Sequence, residues 1–199
     1  MRSSKEESGD DGKGRAPVVR RYLDVARMPS RAASIEAGMD RVFFEAATRK
    51  AFDTSDERSR FRERWLGDYL RQDPQWAYVV LDESGRVSGY LVGCLDDPAR
   101  QARFAELGYF RDFAHLTASF PAHLHINMAA DSRNKGLGAL LVAAFLKDAR
   151  RAGVRGVHVV TGKGARNIAF YAAQGFAQQG ETDWAGGTVV FLARALATD

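Results

Sequence analysis

The alternation of apolar and polar residues predicts strands and helices that follow one another along the chain. Runs rich in β-branched and aromatic residues predict seven strands, at 18–25, 76–81, 87–95, 123–130, 155–161, 176–182 and 188–193. Apolar residues at helical spacing predict four helices, at 41–52, 56–70, 136–152 and 166–174. This order predicts a single α/β domain with one mixed, mostly antiparallel sheet and helices on both faces.

Two connections refine this picture. The turn at 82–85 ends in a glycine where a positive φ is expected, so the strands on either side of it form an antiparallel hairpin. The segment 96–121 is long and aromatic. A structureless connection of that length is unusual inside a domain, so we expect short helices packed over one end of the sheet.

The chain has 199 residues, a length typical of one domain, which we assign to 18–199. Residues 1–17 are polar, glycine-rich and mixed in charge, which predicts a disordered tail. The chain lacks an apolar run of the roughly 18 residues that cross a bilayer and the apolar core of a secretory signal. We therefore expect no membrane partner. The single cysteine, Cys94, lies in an apolar strand, which favours a buried thiol and a reducing, cytoplasmic location.

Basic residues are concentrated in one part of the chain. The formal net charge is +4, but the segment 130–166 holds eight Lys or Arg and two acids, leaving the rest of the chain with a net negative charge. A compact basic segment suits a polyphosphate ligand better than a long nucleic-acid track. A solvated basic helix face is the alternative.

The stretch from Met128 to Gly138 joins a predicted strand to a long helix. The first turn of a helix has free N–H groups and the positive end of the helix dipole. Gly136 and Gly138 would let a phosphate approach that backbone, and Arg133 and Lys135 add positive charge. Together these features predict a pyrophosphate site. A tight strand–helix turn without a ligand is the alternative.

Spacing excludes two common phosphate motifs and points to a third. Gly138 is followed by Ala-Leu, where a P-loop needs Lys and Ser or Thr, and Leu141 stands where the third glycine of a dinucleotide fold belongs. A second motif follows downstream, where F-Y-x-x-x-G-F places Tyr171 33 residues after Gly138. The sequence thus contains R-x-x-G-x-G on one helix and F-Y-x-x-x-G-F on the next.

This pair of motifs resembles the GCN5-related N-acetyltransferase (GNAT) family. The resemblance covers roughly 76–193, whereas 18–74 fits only in element order. It implies a GNAT fold with a splayed β4/β5 pair, acetyl-CoA as the cofactor, and Tyr171 as the general acid that protonates the leaving thiolate. The cofactor-binding residues that it implies are Ile126, Asn127, Met128, Arg133, Asn134, Lys135, Gly136, Leu137, Gly138, Ala139, Arg166, Asn167, Phe170 and Tyr171.

A narrower likeness comes from the residues around this loop. The stretch 121–127, together with Gly156-Val157-His158, resembles the acetyltransferase-like domain of O-GlcNAcase and its free-standing bacterial relatives. This likeness implies a bacterial protein. It implies no glycosidase, because the paired carboxylates of that activity belong to another domain.

The sequence departs from the family pattern at three places. Gly164 replaces an Asn that often touches CoA, the family's proline near Ala130 is absent, and the strand 123–130 has no carboxylate to act as a base. His125 and Asn127 fall on one face of that strand and are the remaining catalytic candidates. His125 could accept a proton from the amine, although a strand histidine is more often structural.

The acceptor is predicted only as a class, a small-molecule or peptide amine. Candidate residues in its cleft are Asp96, Asp97, Tyr109 and Phe110. The two aspartates could attract a cationic amine or belong to a solvated turn, and the two aromatics could form a ligand wall or core. The histidines have no metal-ligand spacing, so we expect no metal. Both a monomer and a homodimer fit the sequence.

Three functional hypotheses follow. The first is an N-acetyltransferase that moves the acetyl group from acetyl-CoA directly to an amine. The second is an inactive or weakly active module that binds acyl-CoA, motivated by Gly164 and the missing carboxylate. The third, a nucleic-acid-binding domain, is disfavoured because no stripe of aromatic and basic residues accompanies the charge.

Overall fold

A single seven-stranded sheet forms the centre of the molecule. The computed structural model describes residues 18–197; the predicted tail at 1–17 lies outside this range. The strands are β1 (Val19–Arg21), β2 (Tyr78–Leu81), β3 (Val87–Cys94), β4 (Ala122–Met128), β5 (Gly156–Gly162), β6 (Ala177–Trp184) and β7 (Gly187–Ala195). Their order across the sheet is β1-β2-β3-β4-β5-β7-β6. Only the β4/β5 pair is parallel among these strands, which confirms the mixed, mostly antiparallel sheet.

The first predicted strand is only partly correct. The chain is extended over β1, but a helical turn, α1 (Tyr22–Val25), replaces the rest of the predicted strand 18–25. Tyr22 and Val25 are three residues apart and both are buried. Their burial against the same core cluster requires helical spacing, which overrides the β-branched composition of the segment.

The second helix begins and ends earlier than the sequence predicts. α2 runs over Pro29–Ala46 instead of 41–52, with proline in its first turn. Its buried residues follow a helical period and are Ile35, Met39, Val42 and Phe43. The first half of α2 is rich in Ala and Ser, so its apolar stripe is too weak to predict from sequence.

The predicted helix 56–70 is a continuous run of three helical segments. α3 (Ser55–Arg62) begins at Thr54, whose hydroxyl oxygen accepts the N–H of Glu57 at 3.1 Å. A π-helical turn over Glu63–Gly67 follows and leads into α4 (Asp68–Gln72). The extra residue in the π turn shifts the helical register before α4 begins.

The remaining predicted elements are confirmed with small shifts of their ends. Short helical segments cover 96–121 as expected, two of them single turns of α-helix, α5 (Tyr109–Asp112) and α6 (Ala114–Thr117). α7 (Leu137–Arg151) follows β4, and α8 (Asn167–Ala173) follows β5. Gly85 has φ +81°, which confirms the hairpin turn between β2 and β3.

The sheet separates two hydrophobic cores. Side chains of α1, α2, α4 and α5 form one core with Val79, Tyr90 and Phe191. Side chains of α7 and α8 form the other core with Tyr78, Leu91 and Leu124. Helices therefore cover both faces of the sheet, as predicted. Cys94 is buried in the first core, again as predicted.

Candidate functional site

A gap opens between the two parallel strands at the centre of the sheet. β4 pairs with β3 along its length, from Cys94↔His123 to Gly89↔Met128. Within the described residues, β4 pairs with β5 only at Ala122↔Val157 and His123↔His158. The strands are therefore closed at His123 and open towards Met128. This arrangement confirms the splayed pair and leaves one edge of the second half of β4 free for hydrogen bonds to a ligand.

The free N–H groups of the α7 N-terminus stand at the open end of this gap. Gly136 precedes the helix with φ +76°, a left-handed conformation that favours glycine. A Cβ added at Gly136 would meet open space, so only the backbone conformation requires glycine there. Leu140 makes the N–H bond back to Gly136, at 3.2 Å, so the preceding N–H groups have no intrahelical acceptor.

Gly138 permits a close approach between two helices and β4. A Cβ added there would lie 3.3 Å from the Phe170 ring on α8 and 3.6 Å from Cδ1 of Ile126. The structure therefore brings together three of the predicted cofactor residues, which lie far apart in sequence. Because Gly138 has no side chain, the first turn of α7 can pack against Phe170 and Ile126.

Contacts from distant elements hold the loop between β4 and α7. A carboxylate oxygen of Glu45, at the end of α2, accepts the N–H of Ala130 at 2.6 Å. Arg133 Nε donates to the carbonyl of Met128 at 3.2 Å, and the guanidinium of Arg86 pairs with Asp131 at 2.7 Å. Sequence reasoning missed Glu45 and Arg86, because neither has a motif or lies near the loop in sequence.

The other predicted cofactor residues line the solvent side of the same region. Arg133, Asn134 and Lys135 are exposed, and Asn134 has φ +60°. Arg166 and Asn167 are exposed where α8 begins, and Asn167 accepts a hydrogen bond from the Thr161 hydroxyl at 3.0 Å. Arg133 and Lys135, which lie on the loop itself, are therefore available to an anion at the start of α7.

Tyr171 is buried beneath this region. It is 5% exposed, and its ring packs at 5.2 Å from Phe170 and 5.7 Å from Phe176. Burial raises the pKa of its phenol, which keeps the hydroxyl protonated at neutral pH. A protonated phenol is the form that a general acid needs.

The opposite face of β4 contributes a cluster of histidines. His125 and His123 each place Nε2 near the hydroxyl of Tyr69, at 3.1 Å and 3.0 Å. His158 on β5 packs 5.5 Å from His123, and the edge of Trp65 packs 5.1 Å from His125. The sequence predicted a role for His125 but not for Trp65, which lies in the π turn, or for Tyr69, which lies in α4.

Burial keeps all three histidines of this cluster neutral. Desolvation lowers the pKa of His125 to about 4 and that of His158 to about 3. Burial, followed by the neighbouring His158, lowers the pKa of His123 well below its ordinary value. An imidazole that is neutral at pH 7 keeps one nitrogen lone pair for accepting a proton.

Asn127 lies two residues beyond His125 on β4, towards the open end of the gap. Its amide donates to the hydroxyl of Tyr90, its register partner on β3, at 2.8 Å. Burial raises the pKa of Tyr90, so the hydroxyl stays neutral. Asn127 and His125 share a face of β4, as predicted from the strand period.

The predicted acceptor residues lie near the closed end of the gap. Asp97 accepts the N–H of Ala99 at 3.0 Å and caps a short helical turn, and Asp96 is exposed beside it. Tyr109 and Phe110 are buried in the core that contains Tyr69. The roles of these four residues stay predictions. Nearby, burial raises the pKa of the Cys94 thiol to about 11, which disfavours its nucleophilic form.

Within 18–197, no group of three or more His, Cys, Asp or Glu side chains is placed to hold a metal ion. Within the same range, no helix has the length and apolar character needed to cross a membrane.

The family model described as "Acetyltransferase (GNAT) family" matches residues 41–176, more than half of the chain. The chain belongs to the GNAT family. The match spans the loop, the splayed strands and both helices that carry the motifs, and it confirms an acyltransferase enzyme. Acetyl-CoA is the acyl donor that the family uses, and the free amides, nearby cations and open gap described above fit that group.

Solved structures show the same fold at low sequence identity. The structure described as SsHAT has 23% identity and a TM-score of 0.67, and the match covers 90% of this chain and 98% of that chain. A phosphinothricin acetyltransferase from Sinorhizobium meliloti in complex with AcCoA has 20% identity and a TM-score of 0.54, covering 90% and 88%. A ribosomal-protein-alanine N-acetyltransferase from Brucella melitensis has 21% identity and a TM-score of 0.52, covering 90% and 99%.

No curated protein sequence gives a significant match to this chain. The family is therefore shown by the family model and the fold by the solved structures.

Proposed function

We propose that this GNAT protein transfers an acetyl group from acetyl-CoA directly to an amine, without an acyl-enzyme intermediate. The observation that carries the proposal is the gap between β4 and β5. It starts at the free amides of α7 and ends beside His125. A linear ligand that binds its phosphates at the amides would therefore place its other end next to a neutral imidazole.

The residues at the open end fit a diphosphate. N–H groups at a helix N-terminus and the positive end of the dipole favour an anion there. Arg133 and Lys135 are exposed on the same loop and add charge-assisted contacts. The free edge of β4 from Leu124 to Met128 offers backbone groups to an amide-containing arm, much as a neighbouring strand would use them.

Two side chains handle the protons: His125, near the closed end of the gap, and Tyr171, beneath the start of α7. Acetyl-CoA supplies the acetyl group in activated form, as a thioester. The amine nitrogen bonds to the carbonyl carbon as the carbon–sulfur bond breaks, so one proton leaves the nitrogen and one reaches the sulfur. We assign the first proton to His125 and the second to Tyr171, whose pKa burial keeps high. A backbone N–H near Met128 would polarise the carbonyl oxygen.

A second candidate is a module that binds acyl-CoA without turnover. The deep burial of Tyr171 favours it, because a phenol that is 5% exposed is also what a purely structural residue would show. The carboxylate-free β4 favours it as well. Both candidates share the loop and differ only in whether His125 and Tyr171 transfer protons.

Binding and turnover together separate the candidates. Isothermal titration calorimetry with acetyl-CoA should give one site per chain, and a thiol-release assay over a panel of amino acids, peptides and polyamines should identify an acceptor. Binding with release above the hydrolysis background supports the transferase. Binding without release for any amine supports the module, and absence of binding contradicts both.

The narrower predictions remain part of this proposal. We infer that the acceptor is a small-molecule or peptide amine, and that the protein is a cytoplasmic bacterial enzyme related to the acetyltransferase-like domain of O-GlcNAcase. The residues 121–127 and 156–158 support the last point by resemblance alone. Sedimentation velocity would distinguish the monomer from the homodimer.

A further inference from the structure

A buried tyrosine connects the two β4 histidines at the closed end of the gap. Tyr69 is 1% exposed and His123 is 2% exposed. The Tyr69 hydroxyl lies 3.0 Å from Nε2 of His123 and 3.1 Å from Nε2 of His125. These three groups form a chain of hydrogen bonds that runs from the interior of the first core to the gap.

A single hydroxyl hydrogen fixes the relation between the two imidazoles. The Tyr69 hydroxyl can donate to one Nε2 only, and its oxygen must then accept from the other imidazole. One neutral histidine therefore carries its hydrogen on Nε2, and the other carries it on Nδ1. The tautomer of His125 follows from that of His123.

The surroundings of His123 indicate which arrangement is preferred. Its Nδ1 is buried and has no partner of good hydrogen-bond geometry within the described residues. Burial dominates the lowered pKa of His123, and the backbone of Pro121 opposes it; because proline has no N–H, the group that it offers to the imidazole is its carbonyl. Since a carbonyl only accepts, the hydrogen of His123 is better placed on Nδ1. Tyr69 then donates to Nε2 of His123 and accepts from Nε2 of His125.

This arrangement leaves Nδ1 of His125 as a bare lone pair. In the part of the chain described, no hydrogen bond engages that nitrogen. His125 is only partly buried and lies on the stretch of β4 that has left β5. The Trp65 ring packs nearly perpendicular to the His125 ring, with 5.1 Å between the ring centroids, and restricts its rotation. We infer that Tyr69 is a positioning residue that holds His125 in the tautomer whose Nδ1 accepts the proton of the acceptor amine.

His158 completes the arrangement by keeping charge away from the interior. Its Nδ1 donates to the carbonyl of Phe120, and its Nε2 is buried without a partner within the described residues. His158 and His123 are both neutral because burial disfavours their charged forms. A proton taken up at the gap therefore stays on His125, from which solvent can remove it after the product leaves.

This inference rests on the proposed function, but its first test does not require turnover. Long-range ¹H–¹⁵N correlation spectra of the wild-type protein report which ring nitrogen of each histidine carries the hydrogen. We expect His125 to carry it on Nε2 and His123 on Nδ1. A wild-type His125 with the hydrogen on Nδ1 overturns the inference, whether or not any variant folds.

Variants then test the part that Tyr69 plays. In Tyr69→Phe, His125 should lose its fixed tautomer and show a mixture. Tyr78→Phe is the matched control, because it removes another buried hydroxyl with a hydrogen bond, to Asp148 at 2.8 Å, from the opposite core. An unchanged His125 tautomer in Tyr69→Phe contradicts the positioning role.

Kinetics separate this inference from the proposed function. Tyr69→Phe should lower kcat at least about tenfold, because a mispositioned His125 loses part of the rate that a general base contributes. The KM for acetyl-CoA should stay within about twofold. In a His125→Gln background the same change should have no further effect, because the two residues act as one unit. Additive losses contradict the inference. A wild-type protein with the expected tautomer but no activity on any amine would contradict the proposed function alone.

Discussion

The two faces of β4 serve two different tasks. Leu124, Ile126 and Met128 face α7 and the core beneath it, beside a loop that offers backbone amides and exposed cations. On the other face, His123 is buried and His125 is partly buried, and desolvation keeps both side chains neutral. The first face suits a charged ligand that must be attracted from solvent, whereas the second suits proton transfer away from water.

Because the two tasks lie on different faces of β4, a substitution can impair one task and leave the other intact. Substitutions on the loop should affect binding of acetyl-CoA, and substitutions in the histidine cluster should affect turnover.

Gly138→Glu should weaken the binding of acetyl-CoA at least about 100-fold, because a like charge beside a bound phosphate costs several kcal/mol. The new side chain would also meet the Phe170 ring, which lies 3.3 Å from the Cβ position. Titration calorimetry measures the change. Ala143→Glu adds the same charge at an exposed position of α7 and should bind normally. Full affinity in Gly138→Glu would remove the site from this loop.

Tyr171→Phe should lower kcat about 100-fold, the scale of a lost general acid, and leave the affinity for acetyl-CoA within about twofold. Rapid-quench or steady-state thiol release measures kcat, and calorimetry measures affinity. Tyr78→Phe again controls for loss of a buried hydroxyl. Wild-type turnover in Tyr171→Phe would show that another group protonates the sulfur.

The histidine cluster should make stability depend on pH. The three histidines have lowered pKa values in the fold but ordinary values near 6.5 when unfolded. Unfolding therefore takes up protons below about pH 6.5. Their stabilising contribution is complete above pH 6.5 and falls with decreasing pH, towards about 4 for His125 and about 3 for His158. Each histidine adds up to about 1.4 kcal/mol per pH unit to the slope of the free energy of unfolding against pH in that window.

Urea unfolding at several pH values between 4.5 and 6.5 measures this slope. His158→Gln should lower this slope by the equivalent of about one proton taken up on unfolding. His115→Gln changes an exposed histidine outside the cluster and should leave it unchanged. A free energy of unfolding that stays constant across this window would contradict the neutral, buried state of the cluster.

Glu45→Ala should have the smallest effect, a loss of about five- to tenfold in affinity for acetyl-CoA. Its carboxylate holds the N–H of Ala130 at 2.6 Å, and without it the loop is less ordered before binding. Asp131→Ala removes an exposed pair with Arg86 and the hydrogen bond that the Ser132 hydroxyl donates at 2.8 Å, but leaves the N–H of Ala130 held, so we expect it to stay within about twofold. Equal effects of the two changes would mean that Glu45 does not organise the loop.

The sequence predicts the two faces of β4 unequally. The amide site depends on a glycine conformation and a helix start that are local, so Gly136 and Gly138 can be recognised within a few residues of each other. Tyr69 lies 56 residues from His125, and the π turn before it shifts its helical register. The helical period over 56–70 predicts that Tyr69 faces inward. No local pattern indicates which residues of β4 its hydroxyl contacts.

The same reasoning explains the errors in the first half of the chain. The start of α2 is rich in small residues, so its inward face is defined by the sheet that it packs on and not by its own pattern. The α1 turn forms because Tyr22 and Val25 must reach the same core. The second half has strong amphipathic patterns, such as that of α7, and its elements could be predicted closely.

A crystal structure of the protein with acetyl-CoA tests the central claim most directly. We predict diphosphate oxygens about 3 Å from the N–H groups of Gly138 and Ala139, with the thioester between β4 and β5 beside His125. A diphosphate bound away from the start of α7, or a thioester outside the gap, would contradict the account.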